Sequence, residues 1–261
     1  MPRLMLTDEH WSKLQVMMLE ASIYGKPNLR MTVEGILYRM RTGCPWRDLP
    51  REFGDWNTIY KRYNAWSHKE IFSLLFSQLS SFTDTEWTFI DASFVKAHQH
   101  SAGAIGQASQ AIGQSVGGKT SKIHLAVDAY GLPVTFEITG GDVHESQVAP
   151  LLIERLPHAE ATVADKGYDS TSIRELIQSK GSKVVIPRKK NSTIGNAALD
   201  AYLYKLRHLV ENMFARLKHF RAVATRFDKL KRNFVSTVAL ACLYLWYVSK
   251  RQQTLLNPLT N

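Results

Sequence analysis

The hydrophobic period of this chain changes twice, from helical to strand-like near residue 81 and back to helical from about Leu199, and few folds accommodate that order. Five segments between these points are short, rich in β-branched and aromatic residues, and bounded by Gly, Pro or Asp: 87–95, 122–129, 133–138, 161–164 and 182–186. Turn residues such as Tyr130-Gly131-Leu132-Pro133 join the first three, which suits antiparallel pairing. The last two flank a helical pattern near 171–180, which suits a parallel crossover. The expectation is an α/β domain with a mixed five-stranded sheet and flanking helices over residues 81–250, followed by a tail, 251–261.

Residues 1–80 are punctuated as a small all-α domain. Thr7 or Asp8 can cap a helix through Trp11, Leu14 and Met17, a second helix follows Asn28 to Met31 and stops at Gly43-Cys44-Pro45, and Asn57 is the expected cap of a third. Two helices joined by a tight Gly-containing turn predict a helix-turn-helix-like unit. Its stripe of Ile59, Tyr63 and Trp66 reads as core, and Lys61 and Arg62 as the DNA-contact candidates. Between the first two strands, residues 98–117 are rich in Ser, Gly, Ala and Gln and read as a mobile loop.

Charge narrows the partner. The 261 residues carry a formal net charge of +10, and the excess lies almost wholly after residue 200, where the acidic side chains are Glu211 and Asp228 alone. Arg216, Lys218, Arg221, Arg226, Lys229, Lys231 and Arg232 fall in this region, so nucleic acid is the economical partner. Cys44 and Cys242 are far apart in apolar contexts, indicating neither a disulfide framework nor a zinc site, and a reducing cytoplasm fits. The N-terminus lacks the apolar run of a signal peptide, and 234–248 is too short to cross a bilayer and reads as a buried helix.

Carboxylates supply the chemistry. Asp is disfavoured inside a strand, and a buried charge is costly unless it is paired or binds metal. Asp91 sits within Phe89-Ile90-Asp91-Ala92-Ser93, and Asp165 ends Val163-Ala164-Asp165 before Lys166-Gly167-Tyr168. On local sequence alone Asp165 is better explained as a strand-end turn residue or a helix cap. Asp128 is a local competitor, explained more cheaply by the turn it precedes. Tyr204, Arg207, Glu211 and Lys218 are spaced to share one face of a helix, a pattern that a solvated, salt-bridged face also gives. Hard oxygen ligands from a strand centre, a strand end and a helix suit phosphoryl transfer with two Mg²⁺ ions, Asp91 bridging them. Arg207 and Lys218 would neutralise phosphate, and Tyr204 would stack on or hydrogen-bond a base or sugar.

Two other patterns are set aside. Gly113-x4-Gly118-Lys119-Thr120 satisfies a phosphate-loop pattern, but a polar loop precedes it and a strand follows it, so no nucleotide cofactor is expected. His144 in Gly140-Gly141-Asp142-Val143-His144-Glu145 suits capping better than metal binding, and His98, His100, His208 and His219 rank no higher.

These residues resemble the DDE transposases of bacterial insertion sequences. Tyr204-x2-Arg207-x3-Glu211-x6-Lys218 matches the Y-R-E-K signature of insertion-sequence families four and five, Asp91 lies in an I-D-x-S block and Asp165 in a D-K-G-Y-D block. The segment Cys44-Pro45-Trp46-Arg47-Asp48-Leu49-Pro50 resembles the N-terminal DNA-binding domain of the family-five group, and the short interval from Asp165 to Glu211 favours that compact form. The resemblance implies an RNase H-like catalytic domain with Asp91, Asp165 and Glu211 as catalytic metal ligands. It implies Mg²⁺, with Mn²⁺ substituting, and cleavage and strand transfer of double-stranded DNA at terminal inverted repeats and target. It further implies a homo-oligomeric synapse in a bacterial cytoplasm, nucleoid-associated when bound to DNA, with no membrane role. The rival is an RNase H-fold nuclease, or a domesticated DNA-binding protein, that does not join strands.

Overall fold

The computed structural model describes residues 2–102 and 110–249. They form two compact units, one of residues up to 79 together with those from 217 onward, the other of residues 80–216.

The first unit is helical. Its helices are α1 (Asp8–Glu20), α2 (Leu29–Thr42), α3 (Trp56–His68) and α4 (Ile71–Ser80), joined by the C-terminal α9 (Arg221–Ala224) and α10 (Lys231–Tyr247). Thr7 caps α1 through the His10 amide, and Gly43, left-handed at φ 68°, ends α2. The cap of α3 is Asp55, whose Oδ1 accepts from the Thr58 amide at 2.8 Å, two residues before the expected Asn57. Residues 43–55 hold two 3-10 turns, Trp46–Asp48 and Arg51–Phe53, so α2 and α3 are not joined by the tight turn of a helix-turn-helix.

Ile59, Tyr63 and Trp66 are buried, as expected of core. The Tyr63 hydroxyl donates to the Asn233 carbonyl, Arg39 pairs with Asp228 at 3.2 Å, and Thr237 also bonds Asp228. Helix α10 is thus held to α2 and α3 by buried polar contacts as well as by its apolar faces. The buried faces of α10 meet the N-terminal helices α2 and α3. Cys44 and Cys242 are both free thiols. Among the described residues no helix is long and apolar enough to cross a membrane.

The second unit is built on a mixed sheet of β1 (Trp87–Ala97), β2 (Gly113–Ser115), β3 (Gly118–Val127), β4 (Pro133–Gly140), β5 (Ala161–Ala164) and β6 (Lys183–Val185). β1 pairs antiparallel with β3 and parallel with β5, β5 pairs parallel with β6, and β4 continues the antiparallel part beyond β3. All five expected strands are present. Their order, β4-β3-β1-β5-β6, is that of an RNase H-like sheet. Helices α5 (Glu145–Arg155) and α6 (Thr171–Ser179) pack Val148, Leu152, Ile153, Ile173 and Ile177 against Ile90, Ala126 and Ala164 on one face. Helix α5 is not among the expected elements, and it carries Pro150 in its interior, where a proline removes a helical hydrogen bond.

Part of the expected mobile loop 98–117 is regular structure. Gln99–Ala102 form a 3-10 turn and Gly113–Ser115 form β2, while 103–109 lie outside the described residues, as does the expected tail. The phosphate-loop pattern falls on the β2–β3 hairpin with no helix after it, which leaves no helix N-terminus to receive a phosphate.

Candidate active site

Strand register brings the two aspartates together. Ile90 of β1 is opposite Ala164 of β5 in a parallel pair, and each is followed by an aspartate, so Asp91 and Asp165 come side by side at the carboxyl end of β5. Neighbouring strands are about 4.8 Å apart. β5 stops there because Asp165 turns the chain, its Oδ1 accepting from the Gly167 amide at 2.7 Å to cap the 3-10 turn Lys166–Tyr168. The capping and catalytic readings of Asp165 are therefore compatible.

Helices α7 (Ala201–Lys205) and α8 (His208–Lys218) carry the rest. The expected single helix is broken at Leu206-Arg207. There the amides of Leu206, Arg207, Leu209 and Val210 bond three residues back, a tightening that removes Tyr204 from the helix of Glu211. Arg207 sits in the break. Its Nη1 donates to Asp91 Oδ2 at 2.8 Å and its Nη2 to Glu211 Oε1, so one guanidinium spans two of the three carboxylates.

Burial pushes the Asp91 carboxyl up, the Ala92 amide and Arg207 pull against it, and Asp165 and Glu211 add repulsion in the direction of burial; the net result is a raised pKa. Arg207 is thus paired with two of the three acidic groups, Asp91 and Glu211. Among the described residues no three His, Cys, Asp or Glu side chains stand so as to hold a metal ion as they lie. Glu211 instead engages Arg207.

The remaining candidates divide. Tyr204 is half-buried and close enough to Arg207 to act on its charge. Lys218 is exposed at the end of α8, about 20° from Glu211 around the axis, whereas Arg216 is about 140° away. Arg221 and Lys61 are exposed. Arg62 is engaged within its own unit, Nη1 donating to Asn28 Oδ1 and Thr32 Oγ1. Arg226 does not belong to an exposed basic surface; it is fully buried, donates to the Asp228 carbonyl and lies over Phe234. Asp128 is also fully buried, its Oδ1 accepting from the Tyr130 and Leu132 amides at 2.9 and 2.8 Å, which builds the β3–β4 turn. His144 caps α5 through the Ser146 amide.

Two features went unread in the sequence. Tyr168 is buried with its hydroxyl unpaired, within electrostatic reach of Asp91, Glu145 and Asp165. Asp169 anchors the basic stretch Arg188-Lys189-Lys190 after β6, and the signal available was a charge run directly following an expected strand.

A parallel-strand edge with two aspartates, beside a helix carrying Glu211 and a guanidinium in the turn before it, is an α/β arrangement of the kind that phosphoryl-transfer sites use. The family model described as "Transposase DDE domain" matches residues 83–246, and one described as "Putative transposase of IS4/5 family" matches residues 6–76. The chain belongs to the DDE transposase family of insertion sequences. It is a DNA-cleaving and strand-transferring enzyme of a class that uses divalent metal. Among its relatives, "Putative transposase for insertion sequence element IS6501" of Brucella ovis is 35% identical over 49% of this chain and 98% of its own. "Transposase for insertion sequence element IS1106" of Neisseria meningitidis serogroup B is 33% identical over 50% of this chain and 47% of its own. A solved structure, "Crystal structure of a pre-cleavage Mos1 transpososome", aligns with 93% of this chain and 87% of its own at 10% identity and a TM-score of 0.28, too low to bear on the fold.

Proposed function

We propose that this transposase cuts and rejoins double-stranded DNA at the terminal inverted repeats of its insertion sequence, with Asp91, Asp165 and Glu211 as the acidic triad. The observation that carries the reading is the parallel register that sets Asp91 beside Asp165, with Glu211 tied to the same aspartate through Arg207. The donor set fits a hard divalent cation, because Asp91, Asp165 and Glu211 offer carboxylate oxygens whose mutual repulsion, part of what raises the Asp91 carboxyl, a bound cation would relieve. Asp91, Asp165 and Glu211 would hold two Mg²⁺ ions, or Mn²⁺ in their place. Bound there, the metal supplies activation of the attacking hydroxyl and stabilisation of the departing 3′ oxygen.

The chain's own groups do the remaining work. Arg207, paired with Asp91 and Glu211, opposes the rise of the Asp91 carboxyl and places positive charge beside the scissile phosphate. Lys218 would extend that charge along the strand, and half-buried Tyr204 would pack against a sugar or base. The setting is a homo-oligomeric synapse on cytoplasmic, nucleoid-associated DNA.

A strand-transfer assay with cut terminal repeats and target DNA tests the reading. Asp91→Asn, Asp165→Asn and Glu211→Gln are expected to lose both cutting and joining while keeping DNA affinity. Asp128→Asn should keep activity per folded molecule, since an amide Oδ1 still accepts from the Tyr130 and Leu132 amides, and lose about 1 kcal/mol of stability for the Asp84 amide that Oδ2 accepts from. Hydrolysis by the wild type without joined products would favour a nuclease instead.

A further inference from the structure

The two parallel strands that deliver Asp165 deliver a second segment to the same edge. β5 and β6 pair parallel with Val163 opposite Val185, so Pro187 leaves the sheet level with Asp165, and Arg188-Lys189-Lys190 follow at once. Ligands of open α/β sheets bind outside the carboxyl ends of the strands, and this run emerges there.

Asp169 holds the run in place. Its Oδ2 accepts from the Lys189 amide at 2.9 Å, and its Oδ1 accepts from Arg174 Nε at 2.8 Å and lies 3.5 Å from Arg188 Nη1. Arg174 Nη2 reaches back to the Ile186 carbonyl at 2.6 Å, and the Arg188 amide donates to Asn196 Oδ1 at 2.6 Å. Burial works to raise the Asp169 carboxyl, but the Lys189 amide and Arg174 outweigh it and hold it below the ordinary carboxylate range. The segment is fixed from both sides by main-chain contacts, while the Lys189 and Lys190 side chains stay exposed. Lys183 is paired with Asp200 and Arg174 with Asp169, whereas Lys189 and Lys190, like Lys166 beside Asp165, are exposed at this edge.

We infer that Arg188-Lys189-Lys190 is a clamp for a DNA phosphate beside the catalytic carboxylates, and that Asp169 is the positioning residue that orders it. The inference rests on the reading of Asp165 given above. Asp165 and Asp169 are four residues apart, on the order of 14 Å at most or about four base-pair steps, so the clamped phosphates lie close to the scissile bond.

The test is fluorescence anisotropy of a labelled duplex from the element's own end, titrated over salt, beside a cleavage assay. Lys189→Ala/Lys190→Ala should lower the magnitude of the log–log salt slope by about 2 and weaken binding between about tenfold and a hundredfold near 0.1 M salt. Asp169→Ala discriminates by sign. Removing a negative charge strengthens DNA binding if charge alone matters, whereas loss of the ordered clamp weakens it. On the double-lysine background Asp169→Ala should cost nothing further. Thermal melts identify loss of fold, and because both lysines are exposed, the lysine variant remains decisive if Asp169→Ala unfolds. Wild-type binding and cleavage with an unchanged slope in the lysine variant, or tighter binding by folded Asp169→Ala, overturns the clamp alone. A wild type that neither binds nor cuts overturns the catalytic reading and the clamp with it.

Discussion

Gly167 shows how closely the site is fitted. A Cβ there would stand 2.9 Å from Asp165 Oδ1, the oxygen that the Gly167 amide itself holds. Gly167→Ala must therefore move the carboxylate or the turn. Cleavage should fall on the order of a hundredfold, the scale of an ångström-sized misplacement in a reacting site, while DNA affinity and melting temperature change little. Gel-based cleavage beside anisotropy checks this, and wild-type cleavage by the alanine variant would remove Asp165 from the chemistry. At this scale the sequence was most legible where a residue sat against its local grain. Asp91 inside a strand and Asp128 before a turn could be read from neighbours alone. Arg207 could be placed near Glu211 by spacing, but its bond to Asp91 spans 116 positions and has no local signature.

Strands β3 and β4 carry a buried polar cluster on the face opposite Asp91. His124 is fully buried, bonds Thr139 at 2.8 Å, and faces Lys122, Glu145 and Glu137. Burial, with Lys122 assisting and the two glutamates opposing, lowers its pKa from 6.5 to about 4. The folded chain therefore binds fewer protons here than the unfolded chain between these values, so stability falls as pH drops from 6.5 towards 4. The loss is on the order of 3 kcal/mol at full extent. Urea denaturation across this range should show the loss, and His124→Gln should flatten it; an equal slope in both proteins would refute the assignment. Element types and strand limits were largely readable because period-2 alternation is local. The break between α7 and α8 was not, because residues 201–218 keep a helical period through it. Nor was the cap of α3, since Asp55 and Asn57 are equally good capping residues and only the backbone decides between them.

The molecule as a whole divides differently from its sequence order. The N-terminal helices share their core with α10, through Tyr63, Arg39 and Asp228 among others. A fragment of residues 1–80 lacks that partner and would leave Arg39 and Tyr63 without their bonds. It should give dispersionless amide spectra and no cooperative melt, whereas 1–79 linked to 217–249 should fold. A cooperative melt of the short fragment would show that α10 is dispensable.

The chain order of helices, strands and helices, the places where carboxylates disturb a local pattern, and the basic C-terminal region were determined by sequence alone, because each depends on neighbours within a few positions. Pairing was decided in three dimensions: Asp91 beside Asp165, Arg207 between Asp91 and Glu211, Asp169 beneath the lysine run, and α10 among the N-terminal helices. Those contacts follow from strand register and burial, which depend on the free energy of the assembled core rather than on any one segment.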